Sequence, residues 1–278
     1  MNEARATVVL GQVAYAVTSV ANSAPGKGQD ALYVDDGFCG VADGATPLFG
    51  EPGSTVADFA EAALQSLSRG RHLPVEESFR RAMVQLAHPL HSAATCSIAI
   101  VVERPGSATI DAAVLGDCAV VAVAPDGLVT TTTDHRLAEL DGGAIKQMSA
   151  RLAAGAPPEA AWADVRETLR KNRRARNTPA GYWTFGDNPT AADHLQRASY
   201  PHGLAAALVC SDGFMRLVTP FRVAGSEADL VRMAEERGLD DLMAELRTLE
   251  KRDESLREFP RLGVSDDATA ILLVRHRT

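Results

Sequence analysis

Five short peptides, spread from one end of this chain to the other, each place an acidic residue at or just beyond the end of an apolar, strand-like run. They are Gln29-Asp30-Ala31, Val41-Ala42-Asp43-Gly44, Leu115-Gly116-Asp117, Cys210-Ser211-Asp212-Gly213 and Ser265-Asp266-Asp267-Ala268-Thr269. If the strands that carry them lie side by side, the carboxylates converge. Converging carboxylates with no fixed cation repel one another and raise their own pKa values, so such a cluster is stable mainly when hard divalent cations sit in it. Any single Asp-Gly is only a turn signal. The constraint comes from five such peptides, each closing or opening an apolar run.

The remaining pattern describes a scaffold able to gather them. Residues 7–20 are rich in Val and Ala with partial alternation, and residues 32–41 hold two short apolar runs around Asp35-Asp36-Gly37, the signature of strands and a hairpin turn. Ser54 stands at an N-cap position, and Phe59, Ala63, Leu64 and Leu67 recur at helical spacing until Arg69-Gly70. A second helix is expected over 75–88, with Phe79, Met83 and Leu86 on its buried side and Pro89 beyond it. From Thr95 the texture turns β-branched: runs at 98–102, 109–115, 119–124 and 128–132, separated by turn residues, predict a four-strand meander. Residues 135–176 are helical in pattern and end in the basic run 170–176; 177–201, with Tyr182-Trp183, predict a long loop serving as a flap. A buried strand at 204–209, acidic helices over 226–257 and a closing strand at 268–274 complete the chain.

Strands in blocks and helices in blocks indicate an α+β fold, two packed antiparallel sheets flanked by helices, in place of a doubly wound parallel sheet. With 278 residues and 46% hydrophobic content, one domain spanning 1–278 is expected. A formal net charge of -8 excludes a general nucleic-acid binder, which needs a basic surface to displace counterions. Cys39, Cys96, Cys118 and Cys210 share no metal-ligand spacing and sit in apolar runs, as reduced thiols do. The start, Met1-Asn2-Glu3-Ala4, lacks the pattern of an export signal, and no apolar run approaches the ~20 residues of a membrane-spanning helix. A cytoplasmic protein with no membrane partner is expected.

Six pieces in order, Val41-Ala42-Asp43-Gly44, Thr95-Cys96-Ser97-Ile98-Ala99-Ile100, Val114-Leu115-Gly116-Asp117-Cys118, Thr133-Asp134-His135, Val209-Cys210-Ser211-Asp212-Gly213 and Asp266-Asp267-Ala268-Thr269-Ala270-Ile271, resemble the metal-dependent serine/threonine protein phosphatases of type 2C. The likeness runs over 29–274. It implies a central β-sandwich with helix pairs outside, two Mg or Mn ions with a weaker third, and a phosphorylated protein as substrate. It further implies that Asp43 bridges two ions while Gly44 adds its carbonyl, that Asp212 and Asp266 complete one ion's shell, that Asp30 holds waters of the second, and that Asp117 with Asp212 serves the third. Water shared by two cations becomes acidic enough to attack phosphorus in line, so no protein nucleophile is needed.

The sequence departs from the family's pattern. Ser23-Ala24-Pro25-Gly26 occupies the stretch where relatives carry a phosphate-gripping Arg, which leaves Lys27 as the nearest cation for phosphate binding. Gln29 replaces a Glu, Asp267 an Asn, and Ala45 the His that would protonate the leaving alcohol, a role left to metal-bound water, His135 or His202. Two other functions compete with hydrolysis by metal. Cys210 and Arg216 satisfy the C-x5-R spacing of cysteine-dependent phosphatases, although Asp212 inside that loop opposes both thiolate and phosphate. Loss of the Arg, Glu and His together would also suit a non-catalytic module that binds a phosphorylated partner. The basic run 170–176 is either a docking surface for such a partner or the solvated end of a helix.

Overall fold

The computed structural model describes residues 4–10, 13–23, 28–45, 53–87, 94–103, 106, 109–201 and 203–276, the side chains of 53–55 excepted. Two antiparallel sheets face each other. The first has the order β1 (Ala4–Leu10), β2 (Val13–Asn22), β11 (Ala268–Arg275), β10 (Ala206–Cys210), β7 (Ala119–Val123), β8 (Val129–Thr132). The second has the order β3 (Ala31–Asp35), β4 (Phe38–Gly44), β5 (Cys96–Glu103), β6 (Ile110–Leu115), β9 (Gln196–Tyr200). Helices α1 (Gly53–Arg69) and α2 (Val75–Leu86) cover the outer face of the second sheet, while α6 (Glu227–Arg237) and α7 (Leu239–Arg252) cover that of the first. Among the described residues, no helix is long and apolar enough to cross a membrane.

Three apolar layers follow from strand alternation. In β4, Cys39 and Val41 point between the sheets while Phe38 and Ala42 point out toward α1 and α2. In β10, Ala207 and Val209 point between the sheets, and Ala206, Leu208 and Cys210 point out toward α6 and α7. Both faces are covered, which is why these strands read as unbroken apolar runs. Tyr15, fully buried between the sheets, keeps its hydroxyl satisfied by donating to the Leu204 carbonyl (3.1 Å) and accepting from the Leu204 N–H (3.0 Å). The hairpin expected at Asp35-Asp36-Gly37 joins β3 to β4, with Gly37 at φ 77°. Ser226 caps α6 by accepting the Asp229 N–H at 3.1 Å.

Two expectations are corrected. The four strands at 96–132 are not one meander: β5 and β6 pair in one sheet, and β7 and β8 pair in the other. The chain changes sheet at Gly116-Asp117-Cys118, and Gly116 has φ 95° there. Alternation reports which face a residue takes, not which sheet its strand joins. Residues 177–201 are not a free loop either. Tyr182, Trp183 and Phe185 are buried, Phe185 pairs with Cys96, a 3-10 helix spans Pro189–His194, and Gln196–Tyr200 adds β9 to the edge of β6. The aromatic side chains anchor the segment to the outer core. Beside it, α3 (Arg136–Ala153) and α4 (Pro158–Arg174) form a helical hairpin with its own small core of Ala144, Met148, Leu152, Val165 and Leu256.

The turn out of β10 leads directly into a short helix, α5 (Asp212–Met215). A Cβ on Gly213 would lie 1.8 Å from the Asp267 carbonyl oxygen, so this turn touches the start of β11 only because Gly213 has no side chain. Gly213→Ala must push the two apart, and an expected loss of about 3 kcal/mol is measurable by urea unfolding. An unchanged midpoint would mean that the turn yields freely.

Candidate functional site

Strand parity decides which side chains meet. Asp43 follows Val41 by two residues in β4, so it faces the space between the sheets, at its open end. The register that pairs Ala31 with Ala42 sets Asp30 opposite Asp43, and Ser97 of β5 pairs with Asp43 on the other side. From the facing sheet, β10 runs out through Ser211 into Asp212, the first residue of the short helix α5, and β11 begins just after Asp266 and Asp267. Asp117 arrives from the sheet-changing turn, held by the Ser97 hydroxyl, which donates to its Oδ1 at 2.6 Å. Carboxylates distant in sequence thus share one opening.

Their electrostatics report the crowding. Burial first, then the charges of Asp30, Asp212, Asp117 and Asp266, holds the Asp43 carboxyl well above the ordinary carboxylate range. Burial pushes Asp117 up to about 7, with Asp212 adding to it and the Ser97 hydrogen bond opposing it. Asp30 is also raised to about 7, by burial first, and Asp267 and Asp212 add to it. The Thr269 and Ser211 hydroxyls partly offset that rise, yet neither Asp30 oxygen makes a hydrogen bond of standard geometry, and both are buried. Asp212 perturbs every one of these groups, which places it at the hub.

One further carboxylate escaped the sequence reading. Asp141, on α3, is raised by burial, accepts from Asn172 of α4 at 2.6 Å, and feels both Arg173 and Asp212. Its only sequence signal is an Asp-Gly-Gly inside a helical stretch, where the glycines meet nothing within 4 Å. The hairpin α3–α4 therefore reaches the acidic opening, and Tyr182 reaches it too: burial raises its pKa, Arg173 opposes that rise and the Asp117 charge adds to it.

Other expected residues fare differently. Gly44 ends β4 against the Gln29 carbonyl, where a Cβ would lie 2.5 Å from the oxygen, so its backbone belongs to the opening. Asp267 turns its carboxylate to the loop before β3, accepting the Gly28 N–H at 2.8 Å and the Gln29 N–H at 2.6 Å; it anchors the peptide that carries Asp30. Asp266 accepts from Arg216 at 2.7 Å. Asp134 is taken by Arg136 at 2.6 Å, and His135 is exposed at the head of α3. Lys27 and His202 lie outside the described residues. In the basic run, Arg170 and Arg174 pair with Glu167 at 3.9 and 3.0 Å, as helix-end cations do.

The C-x5-R arrangement is overturned. The Cys210 thiol points into the fully buried layer under α6 and α7, and burial, reinforced by Asp212, pushes it well above the ordinary thiol value. Arg216 is spent on Asp266 and Glu250. Parity explains the loss: Cys210 takes the same face of β10 as Leu208, toward α6 and α7, opposite to Val209 and the space between the sheets.

An all-oxygen donor set with two orphaned buried carboxylate oxygens on Asp30 suits a hard divalent cation, whose remaining positions water fills. Among the described residues, no three His, Cys, Asp or Glu side chains are grouped tightly enough to hold an ion by themselves.

No family model and no curated protein matches the sequence. Solved structures do. The chain is similar to PppA, described as a key regulatory component of T6SS in Pseudomonas aeruginosa, with 14% identity, a TM-score of 0.57, and 98% of this chain and 100% of that one covered. The serine/threonine phosphatase Stp1 from Staphylococcus aureus matches at 13% identity and TM-score 0.56, over 99% and 100% of the two chains. The catalytic domain of the serine/threonine protein phosphatase PstP, in complex with 2 manganese ions, matches at 16% and 0.50, over 95% and 98%. The fold is that of the PPM-type, or type 2C, serine/threonine phosphatases.

Proposed function

We propose that the protein is a cytoplasmic, Mg2+- or Mn2+-dependent phosphomonoester hydrolase acting on phosphoserine or phosphothreonine in a protein substrate, with the whole chain serving as one catalytic unit. The carrying observation is the convergence of Asp30, Asp43, Asp117 and Asp212 from both sheets into one opening, where Asp30, Asp117 and Asp212 all raise the Asp43 pKa and both Asp30 oxygens are buried without a hydrogen bond of standard geometry. Asp43, between Asp30 and Asp212, with the Gly44 carbonyl beside it, would hold two ions in common. Asp212 would be shared with Asp117 for a weaker third ion, and Asp266 would join the first ion's ligands only on release from Arg216, which holds its Oδ2 at 2.7 Å. The bound ions supply an acidified water and offset charge on the phosphoryl oxygens.

The chain's own residues position these parts. Ser97 orients Asp117, and Asp267 fixes the backbone on which Asp30 stands. Ala45, next to Asp43-Gly44, carries no proton donor, so esters with acidic leaving groups should turn over best. A second reading, a non-catalytic module that binds a phosphorylated partner, gains from the lack of a closed three-carboxylate group among the described residues.

Hydrolysis of p-nitrophenyl phosphate and of a phosphothreonine peptide separates the two. The expected result is Mn2+-dependent turnover of both, abolished by EDTA and kept within about twofold in Cys210→Ser. A lack of turnover at saturating Mn2+, with the peptide still bound, would leave the module standing. Turnover that survives EDTA and dies with Cys210→Ser would reverse the assignment of the nucleophile.

A further inference from the structure

Beside the acidic opening runs a chain of buried ion pairs that the hydrolytic reading does not use. Arg247 donates to the Asn22 carbonyl at 2.6 Å and to Glu250 Oε2 at 2.6 Å. Glu250, 1% exposed, accepts Arg216 on Oε1 at 3.1 Å, and Arg216, 9% exposed, donates its other terminal nitrogen to Asp266 Oδ2 at 2.7 Å. Asp266 Oδ1 is approached by the Asp267 N–H at 3.2 Å. Both oxygens of this carboxylate are thus occupied by protein donors, one of them a full positive charge. Arg216 itself is fixed from behind, since Glu250 is pinned by Arg247 and cannot follow if Arg216 swings away.

We propose that Arg216 is a resident counter-cation for Asp266: it holds this carboxylate apart from Asp43 and Asp212 and weakens the divalent-cation affinity of the cluster. The inference rests on the metal-site reading above and concerns how strongly that site loads. Two observations support it. The Arg216 guanidinium lies on the Asp266 carboxylate itself, with one terminal nitrogen 2.7 Å from Asp266 Oδ2 and the other held at 3.1 Å by buried Glu250. Among the described residues, no three His, Cys, Asp or Glu side chains are grouped so as to hold an ion, in keeping with Asp266 being turned to Arg216.

Partners of metal ligands usually orient the ligand, and their removal weakens the metal. Arg216 differs in bringing a unit charge to the ligand's own oxygen, where it competes with the ion instead of presenting the carboxylate to it. The two roles predict opposite signs. If Arg216 competes, its removal frees Asp266 and adds one negative charge to the cluster; Glu250 remains satisfied by Arg247 and by the Asp266 N–H at 3.4 Å.

Calorimetric titration of the metal-free protein with Mn2+ decides between them. R216M is expected to bind Mn2+ at least about tenfold more tightly than wild type. D266N, in the wild-type background, loses less than about threefold, because the charge it deletes is already paired. In the R216M background the same substitution loses about tenfold. Unchanged or weaker binding by R216M overturns the proposal, and so does a hundredfold loss in D266N alone, a variant that remains informative should R216M not fold. D43N separates failures: if it binds Mn2+ as wild type does, the metal-site reading falls, and if it loses binding while R216M equals wild type, only the role of Arg216 falls.

Discussion

Asp43→Asn is expected to leave a folded protein that has lost Mn2+ binding and hydrolyses p-nitrophenyl phosphate at least about 1000-fold more slowly. Asparagine fits the same space, so β4 and its pairing with β3 and β5 are untouched. What disappears is the one carboxylate that feels Asp30, Asp212, Asp117 and Asp266 together. The same substitution removes the most strongly repelled charge in the opening. In EDTA at pH 8 the variant should therefore melt above the wild type, a gain of stability coupled to a loss of function. A merely structural Asp43 would give the reverse, a lower melting temperature and parallel partial losses. Asp212→Asn should behave alike, since Asp212 perturbs Asp30, Asp117 and Asp141 as well. Full activity in Asp43→Asn would end the proposal.

The second large effect is on stability against pH. Asp30 and Asp117 are each raised to about 7 in the folded chain, whereas unfolded carboxyls titrate near about 4. Between those values the folded chain keeps protons that the unfolded chain has released, so stability falls as pH rises through this window and levels off above it. One carboxyl raised that far loses on the order of 3 kcal/mol between pH 5 and pH 8, which for a chain of this size lowers the melting temperature by roughly 5 °C over that interval in EDTA. Mn2+ should restore most of that loss at pH 8 and little at pH 5, where protons already neutralise the cluster. Asp30→Asn should flatten the profile. A melting temperature that climbs from pH 5 to pH 8 in EDTA would mean that these carboxylates do not share a buried site.

Much of this was legible because the site is built at strand ends, and strand ends are written locally. Asp43, Asp117 and Asp212 sit where an apolar run stops and Asp266 just before one starts, and the blocks of alternating and helical residues carry the two-sheet, helix-flanked architecture. What stayed hidden depends on the third dimension. Neither the change of sheet at Gly116 nor the edge pairing of Gln196–Tyr200 leaves a trace in periodicity, because both strands keep ordinary alternation whichever partner they take. Asp141 lies in the middle of a helix, and only the packing of the hairpin brings it near Asp212. Arg216 was noticed for its spacing from Cys210, yet its carboxylate partners are 34 and 50 residues away. Parity, applied to Val209 and Cys210, would have separated the thiol from the site at the outset.

The position of β11 has a bearing on biogenesis. It lies between β2 and β10 in the middle of the six-stranded sheet, although it follows every other strand of the described residues in sequence. A nascent chain on the ribosome exposes β2 and β10 as two unpaired edges until residues 268–275 emerge, and open edges of that kind invite pairing between molecules. Synthesis stalled before Ala268 would thus release a species prone to aggregate. The acidic opening, which needs the residues just ahead of β11, would take shape only after translation has passed them.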